Sequence, residues 1–178
     1  SLVGKDLGGY RVSHLIGEGG MAVVMCAENS LDPRIRRALK VIKPEYAQRA
    51  QFYERFAREA LVLERLRSQY IVAFHGLRQS NNLLYMELEL LEGFSLDQLH
   101  SYHKKPSLHQ IIEWLHQAAL GLAEAHKAEI VHRDIKPANL YIHQDNTLKL
   151  LDFGIAKVID EIDTNRHTTL QGHVLGSP

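Results

Sequence analysis

One stretch of the chain decides its fold and its chemistry: His132-Arg133-Asp134-Ile135-Lys136-Pro137-Ala138-Asn139, followed by Asp152-Phe153-Gly154. Asp134 is a carboxylate that can accept a hydroxyl proton, and Lys136, two positions later, is an ammonium that can hold a phosphate. The amide of Asn139 and the carboxylate of Asp152 offer the oxygen ligands that Mg²⁺ prefers. Groups that can accept a proton, hold a phosphate and bind a hard cation therefore lie within about twenty residues of one another in the sequence.

The overall composition is that of a globular protein, with 45% hydrophobic and 24% charged residues in 178. Lys plus Arg and Asp plus Glu both total 21, so the formal charge is zero and no basic stripe favours a nucleic-acid partner. No run is long and apolar enough to predict a transmembrane helix. The single Cys26 excludes an intramolecular disulfide. We expect a cytoplasmic protein with no membrane segment in this chain, while an anchor outside it stays open.

The first half of the chain has the alternating pattern of β-strands. Strands are predicted over residues 10–16, 22–29, 36–42, 71–77 and 83–90, with turns at 32–33 and 78–82. Between the third and fourth strands, four apolar residues and one glutamate share a helical face: Phe52, Phe56, Glu59, Leu63 and Leu66. This part is therefore predicted to be mostly β with one helix.

After Gly93 the pattern becomes helical. Two capping boxes mark helix starts, Ser95 with Gln98 and Ser107 with Gln110. The second helix is predicted to bury one apolar face, made of Leu108, Ile111, Ile112, Leu115, Ala118, Ala119 and Leu122. The fold class is therefore predicted as α+β in two lobes, a β-rich N-lobe over residues 1–92 and an α-rich C-lobe over 93–178.

A glycine-rich loop separates the first two strands. It consists of Gly17, Glu18, Gly19, Gly20, Met21 and Ala22. Small residues in such a hairpin allow backbone N–H groups to approach phosphate oxygens. A dinucleotide-binding fold is disfavoured because the loop leads into another strand and no βαβ unit follows. The loop by itself is also compatible with glycines that serve only the turn.

Lys40 follows Ala38 and Leu39 on a strand that is otherwise apolar. Burying its ammonium without a partner would be costly, so we expect a carboxylate nearby. Glu59 is the preferred partner because it lies on the buried face of the predicted helix. The helical phase of Glu64, a competing carboxylate, points away from that face. These residues alone also permit a solvated Lys40 and an unrelated Glu59.

The stretch 132–139 matches the pattern His-Arg-Asp-x-Lys-Pro-x-Asn without a gap, and Asp-Phe-Gly follows at the family spacing. The chain therefore resembles eukaryotic-type serine/threonine protein kinases, most closely their bacterial members, from about residue 10 to 178. The resemblance implies ATP and Mg²⁺ as cofactors and Ser/Thr hydroxyls of proteins as substrates. It also implies that the sequence is a fragment ending inside the activation segment.

The resemblance assigns roles by position. Asp134 would accept or orient the substrate proton, Lys136 would stabilise the γ-phosphate, and Lys40, held by Glu59, would contact the α- and β-phosphates. Asn139 and Asp152 would bind Mg²⁺. His132 and Phe153 would hold the site together by packing.

The resemblance also outlines an adenine pocket. Leu88 would control access behind it, and the backbone of Glu89 and Leu91 would pair with the base. Val24 and Ala38 would cover the base and Tyr141 would lie beneath it, a bulkier residue than the family usually places there. The repeated Met-Glu-Leu-Glu at 86–89 leaves a register shift of two residues open.

In the region expected to be the activation segment, Thr168 and Thr169 are candidate autophosphorylation sites, and Arg133 could pair with such a phosphate. A merely flexible polar loop is the alternative there. Ser177 resembles the segment residue that contacts the catalytic loop. A dimer through the N-lobe also stays open.

Two other classes of function compete with a protein kinase. One is a non-catalytic, pseudokinase-like nucleotide-binding or scaffold module, which normally lacks at least one of the key residues found in this chain. The other is a kinase-like small-molecule phosphotransferase, whose usual catalytic loop lacks the form seen at 132–139.

Overall fold

A computed structural model describes residues 2–101 and 105–153. Its elements in chain order are β1 (Asp6–Leu7), β2 (Tyr10–Glu18), β3 (Ala22–Asn29), β4 (Arg36–Ile42), α1 (Pro44–Ala47), α2 (Ala50–Arg65), β5 (Phe74–Ser80), β6 (Leu83–Glu89), β7 (Gly93–Ser95), a 3₁₀ turn (Leu96–Ser101), α3 (Leu108–Lys127), a second 3₁₀ turn (Pro137–Asn139), β8 (Leu140–His143) and β9 (Leu148–Leu150).

The first six strands form one antiparallel sheet in the order β1-β2-β3-β4-β6-β5. Two strand predictions, 22–29 and 36–42, are confirmed at both ends, and the first strand extends further, to Glu18. The turn between β5 and β6 is shorter than predicted and consists of Asn81 and Asn82, at φ 50° and 60°. Asparagine tolerates this left-handed conformation, which a two-residue hairpin turn requires.

Helix α2 packs on this sheet as its apolar spacing predicted. Its buried residues are Phe56, Ala60 and Leu63. They join the side chains of β3, β4 and β6 in one core cluster. The packing also sets Glu59, one turn before Leu63, against the sheet rather than towards solvent.

A second, three-stranded sheet has the order β7-β8-β9. Long helix α3 precedes β8 and begins at a complete capping box: the Gln110 N–H donates to Ser107 Oγ over 3.2 Å, and the Ser107 N–H donates to Gln110 Oε1 over 3.0 Å. The box at Ser95 opens only the 3₁₀ turn Leu96–Ser101. The described chain is thus α+β, as predicted.

The predicted buried face of α3 is only partly correct: Ala118 is buried and Leu122 packs against the core. The residues that the helix buries are Trp114, Ala118, Gly121 and Ala125. Leu108, Ile112 and Leu115 are instead 72%, 57% and 54% exposed. Apolar residues surround more than half of this helix, so periodicity alone could not choose among its faces. The contact with β9, where Gly121 approaches Leu150, makes the choice.

The two sheets are joined by residues 70–72, of which residues 71 and 72 were predicted to begin the strand 71–77. The Leu150 N–H donates to the Tyr70 carbonyl over 2.8 Å, and the Val72 N–H donates to the Leu150 carbonyl over 3.1 Å. Strand β5 therefore begins only at Phe74. The division of the chain at residue 93 stays a prediction, although β7 starts there. No helix among residues 2–101 and 105–153 meets the length and hydrophobicity needed to cross a bilayer.

Candidate active site

The glycine-rich loop connects β2 and β3 and closes on itself, with the Gly19 N–H donating to the Ala22 carbonyl over 2.9 Å. Lys43 anchors it from the end of β4, since its N–H donates to the Met21 carbonyl and its Nζ lies 2.7 Å from Glu18 Oε1. The loop lines a cavity of about 350 Å³ together with Lys40, Glu59 and Asp152. The loop and these three charged residues therefore border the same space.

Lys40 lies between two carboxylates. Its Nζ is 2.8 Å from Glu59 Oε1 on α2 and 2.8 Å from Asp152 Oδ1 after β9. The Lys40 and Glu59 side chains are only 14% and 12% exposed, whereas that of Asp152 is 57% exposed. Strand β4, helix α2 and the segment after β9 thus meet at one ammonium.

Burial and charge act in opposition on these groups. Burial disfavours the ammonium of Lys40, but the neighbouring Glu59 and Asp152 carboxylates outweigh it and raise its pKa. Burial also opposes ionisation of Asp152, yet the Lys40 ammonium lowers the pKa of that carboxyl below its ordinary value. Lys40 is therefore cationic and Asp152 anionic at neutral pH.

The segment 132–139 folds into a compact loop around Asp134. Lys136 Nζ lies 2.9 Å from Asp134 Oδ2, and Asn139 Nδ2 donates to the Asp134 carbonyl over 2.8 Å and to Oδ2 over 3.1 Å. Arg133 and Asp152 have φ of 63° and 44°, a left-handed conformation that costs free energy in residues other than glycine. This conformation shapes the turns that present both aspartates.

His132 links this loop to the segment that carries Asp152. It is 1% exposed, its Nε2 lies 2.8 Å from the Leu151 carbonyl, and its Nδ1 accepts the Asp134 N–H over 3.3 Å. Its ring packs against Phe153 with the centroids 4.4 Å apart. Burial is the main cause that lowers the pKa of His132, so the neutral ring can accept at Nδ1 and donate from Nε2.

A narrow cavity of about 130 Å³ adjoins the first one and shares Lys40, Glu59 and Asp152 with it. The predicted residues that line it are Val24, Ala38, Leu88, Glu89, Leu91 and Tyr141. Residues that the sequence reasoning did not place there also line it: Ile16, Val72, Leu90 and Leu151. Leu88 is part of the wall, whereas Met86, fully buried, is not.

The sequence model of the protein kinase domain matches residues 10–173. The chain belongs to the protein kinase family. Members of this family use ATP and Mg²⁺ and act on proteins, and the chain has their fold.

This kinase chain is 33% identical over 170 residues to the serine/threonine-protein kinase PknA of Corynebacterium glutamicum, over 93% of this chain and 35% of that protein. It is 34% identical over 177 residues to the serine/threonine-protein kinase PrkC of Bacillus subtilis, over 99% of this chain and 26% of the relative. A crystal structure of the Mycobacterium tuberculosis PknI kinase domain is similar with a TM-score of 0.69 and 27% identity, over 85% of this chain and 62% of that one. The chain therefore spans only part of each.

Some predicted residues of the kinase site fall outside the structural description. Gly154, Thr168, Thr169 and Ser177 lie beyond the described ranges. In the described part of the chain, no group of three or more His, Cys, Asp or Glu side chains could hold a metal by itself. The oxygen donors of Asn139 and Asp152 nevertheless fit a hard cation that takes most of its ligands from phosphates and water.

One charged residue that contacts the cavity-lining Glu89 was also missed by the sequence reasoning. Lys149, on β9, places its Nζ 2.9 Å from Glu89 Oε2, although the two are far apart in sequence. No local pattern distinguishes this lysine from a solvent-exposed residue of a short strand, so the sequence offered no signal for the pair.

Proposed function

We propose that this chain is the ATP-binding and catalytic-loop portion of a serine/threonine protein kinase, which transfers the γ-phosphate of ATP to Ser/Thr hydroxyls of proteins. The observation that carries the proposal is a pair of charged groups: the first lines the glycine-loop cavity, and His132 connects the second to it through the backbone of Leu151. Lys40, Glu59 and Asp152 form the first, with contacts of 2.8 Å. Asp134 and its neighbours form the second. The names of the curated relatives support the Ser/Thr class.

The narrow cavity holds the adenine in this proposal. Its walls are largely apolar, so it excludes water, while the backbone of residues 89–91 offers donors and acceptors to the edge of the base. Lys40 then points from the base cavity towards the glycine loop, where it holds the phosphates. Glu59 keeps its ammonium in that position.

Asp134 receives the substrate hydroxyl in this proposal. Its carboxylate is oriented by Asn139 Nδ2 and lies 2.9 Å from Lys136 Nζ. Lys136 is 53% exposed, so its ammonium can turn from Asp134 to the transferred phosphoryl group. These residues contribute by positioning and by stabilising charge, which supply most of the catalysis in phosphoryl transfer.

Asn139 and Asp152 are the proposed Mg²⁺ ligands. Asn139 donates to Asp134 through Nδ2, so its amide oxygen is the atom that can face a cation. Asp152 is anionic and contacts Lys40 through Oδ1, and its other carboxylate oxygen is the candidate ligand. When bound, Mg²⁺ supplies neutralisation of the phosphate charge.

Regulation and context are proposed from the sequence alone. We propose autophosphorylation of Thr168 or Thr169, a cytoplasmic location of the catalytic domain and a dimer through the N-lobe. The alternative of a non-catalytic scaffold is disfavoured because Lys40 and Glu59 are paired and the Asp134 carboxylate is held in its loop by Asn139.

Transfer of labelled phosphate from ATP to a generic basic protein, by the full-length protein, tests this function. Asp134→Asn should lower the transfer rate by about 10²-fold or more, because the neutral amide cannot accept the hydroxyl proton. Asp145→Asn, in the exposed turn between β8 and β9, is the matched control and should retain the rate. Equal rates in all three proteins would refute the assigned chemistry. ATP binding without transfer by the unmodified protein would favour the scaffold.

A further inference from the structure

Two residues of the small sheet reach residues 89–92, the last residue of β6 and the three residues between the sheets, which are together called the linker. Tyr141 on β8 and Lys149 on β9 are directly opposed partners in the antiparallel ladder. Side chains of such partners project from the same face of a sheet. Both contact the linker, one at Leu91 and one at Glu89.

The contact of Lys149 is a partly buried ion pair. Its Nζ lies 2.9 Å from Glu89 Oε2, and the two side chains are 13% and 28% exposed. The same Oε2 accepts the N–H of Ala73 over 3.1 Å, and the Glu89 N–H donates to the Ala73 carbonyl over 2.8 Å. Glu89 therefore ties the linker to β9 and to the segment before β5 at once. Removing one partner would leave the other charge poorly solvated.

The contact of Tyr141 lies two residues further along the linker. Its hydroxyl donates to the Leu91 carbonyl over a long 3.4 Å. Burial raises the pKa of the Tyr141 phenol, so the hydroxyl keeps the proton that it donates. A second hydrogen bond holds the far end of the linker: the Gln144 N–H donates to the Glu92 carbonyl over 2.7 Å. The Tyr141 contact thus falls between the two ends of the linker.

We propose that Tyr141 and Lys149 form a linker clamp, a pair of positioning residues that hold the backbone of residues 89–91 in place for the adenine. The clamp rests on the proposed function, because that backbone is the proposed partner of the base. Strand β9 also leads directly to Asp152 through Leu151. By joining residues 89–91 to the sheet that leads to Asp152, the clamp therefore fixes the distance between the backbone that would bind the base and the charged group around Lys40.

Hydrogen exchange of the full-length protein without nucleotide tests the clamp independently of catalysis. Lys149→Met should accelerate amide exchange in the linker about tenfold, which corresponds to about 1.4 kcal/mol, while amides of β2 and β3 remain unchanged. Lys127→Met, which removes the lysine of an exposed pair with Glu124, is the matched control and should change neither region. Uniform acceleration throughout the protein would mean that Lys149 serves general stability, and it would overturn the proposal.

Nucleotide binding gives the second readout. The dissociation constant for ATP should rise about tenfold in Lys149→Met and severalfold in Tyr141→Phe, which keeps the ring and removes the hydroxyl. At saturating ATP, the kcat of Lys149→Met should stay within about twofold, because this side chain lies outside both cavities and does not touch the transferred phosphate. Lys149→Arg retains the charge and should restore much of the affinity.

A double variant completes the test. Lys149→Met combined with Glu89→Gln should bind ATP no more weakly than Lys149→Met alone, because the two side chains act through one contact. Additive losses would overturn the pairing, as would unchanged linker exchange in Tyr141→Phe and Lys149→Met. If Lys149→Met does not fold, Tyr141→Phe decides the outcome. Faster linker exchange in a protein that binds no ATP would refute the proposed function but keep the clamp as a structural device.

Discussion

At the scale of single residues, the group around Lys40 combines two kinds of contact. The pair with Glu59 is largely buried and affects stability, whereas Asp152 is more exposed and available for chemistry. Burial raises the pKa of Glu59, whereas the Lys40 ammonium lowers the pKa of Asp152, so Asp152 is the carboxylate that carries its charge most readily towards a bound cation. The pair with Glu59 is largely buried, so it responds strongly to the loss of either member. Asp152 is more exposed, and solvent screening makes its contact with Lys40 a weak contribution to stability.

Lys40→Met should therefore lower both stability and activity. It leaves Glu59 buried without its partner, and it removes a donor from the phosphates, so we expect kcat/KM to fall about 10²-fold or more. The double variant Lys40→Met/Glu59→Gln should recover much of the free energy of unfolding, because two neutral groups replace a broken ion pair. It should not recover activity.

Thermal unfolding and phosphate transfer, measured on the same preparations, check this expectation. Lys127→Met serves again as the control for loss of an exposed lysine. Recovery of both stability and activity in the double variant would contradict the role given to Lys40.

At the scale of elements, the position of α3 depends on a close approach that only glycine permits. A Cβ at Gly121 would lie 2.9 Å from Leu150 Cδ1, 3.0 Å from Tyr70 Cβ and 3.1 Å from the Tyr70 carbonyl oxygen. Leu150 is fully buried and its backbone joins the two sheets. The helix is thus pressed against the segment that connects the sheets.

Gly121→Ala should reduce the free energy of unfolding by about 1 kcal/mol. Alanine improves helix propensity by about 1 kcal/mol, but overpacking of a filled core costs about 1–3 kcal/mol and also moves the backbone at Tyr70. Urea denaturation measures the difference. Gly20→Ala, where a Cβ meets nothing within 4 Å, should leave stability nearly unchanged. Increased stability of Gly121→Ala would show that the helix can shift without cost.

At the scale of the whole molecule, His132 connects catalytic-loop geometry to global stability. It is buried beneath the loop and contacts Leu151 and the backbone of Asp134. Burial lowers the pKa of His132 from its ordinary value of 6.5. The unfolded chain therefore binds a proton in a range of pH where the folded protein does not.

The free energy of unfolding should accordingly fall as the pH drops below about 6.5, since unfolding then takes up a proton. His132→Gln should be less stable than the unmodified protein at pH 7.5 but should lose less stability between about pH 7.5 and 5.5. Burial also lowers the pKa of His75, which adds the same pH dependence to both proteins. Urea titrations at the two pH values, with His126→Gln as the control, measure the difference. An equal loss in His132→Gln would contradict the assignment.

Much of the fold could be predicted because its signals are local. Strands β3 and β4 and the capping box at Ser107 depend on alternation and on neighbours three residues apart. The proposed roles of Asp134, Lys136, Asn139 and Asp152 likewise come from two short motifs, residues 132–139 and 152–154, and from their resemblance to a family. Their chemistry follows from side-chain type, so those residues could be named before any contact was known.

Other features depend on contacts between distant parts of the chain. The apolar surface of α3 is wider than one face, and its contact with Leu150 selects the side that is buried. The start of β5 moved because Tyr70 and Val72 pair with β9. The pair of Lys149 with Glu89 joins strands of different sheets, so the spacing of those residues along the chain contains no trace of it. Local spacing thus determines which groups can react and which elements form, whereas long-range packing alone selects the faces and partners that bring those groups into one site.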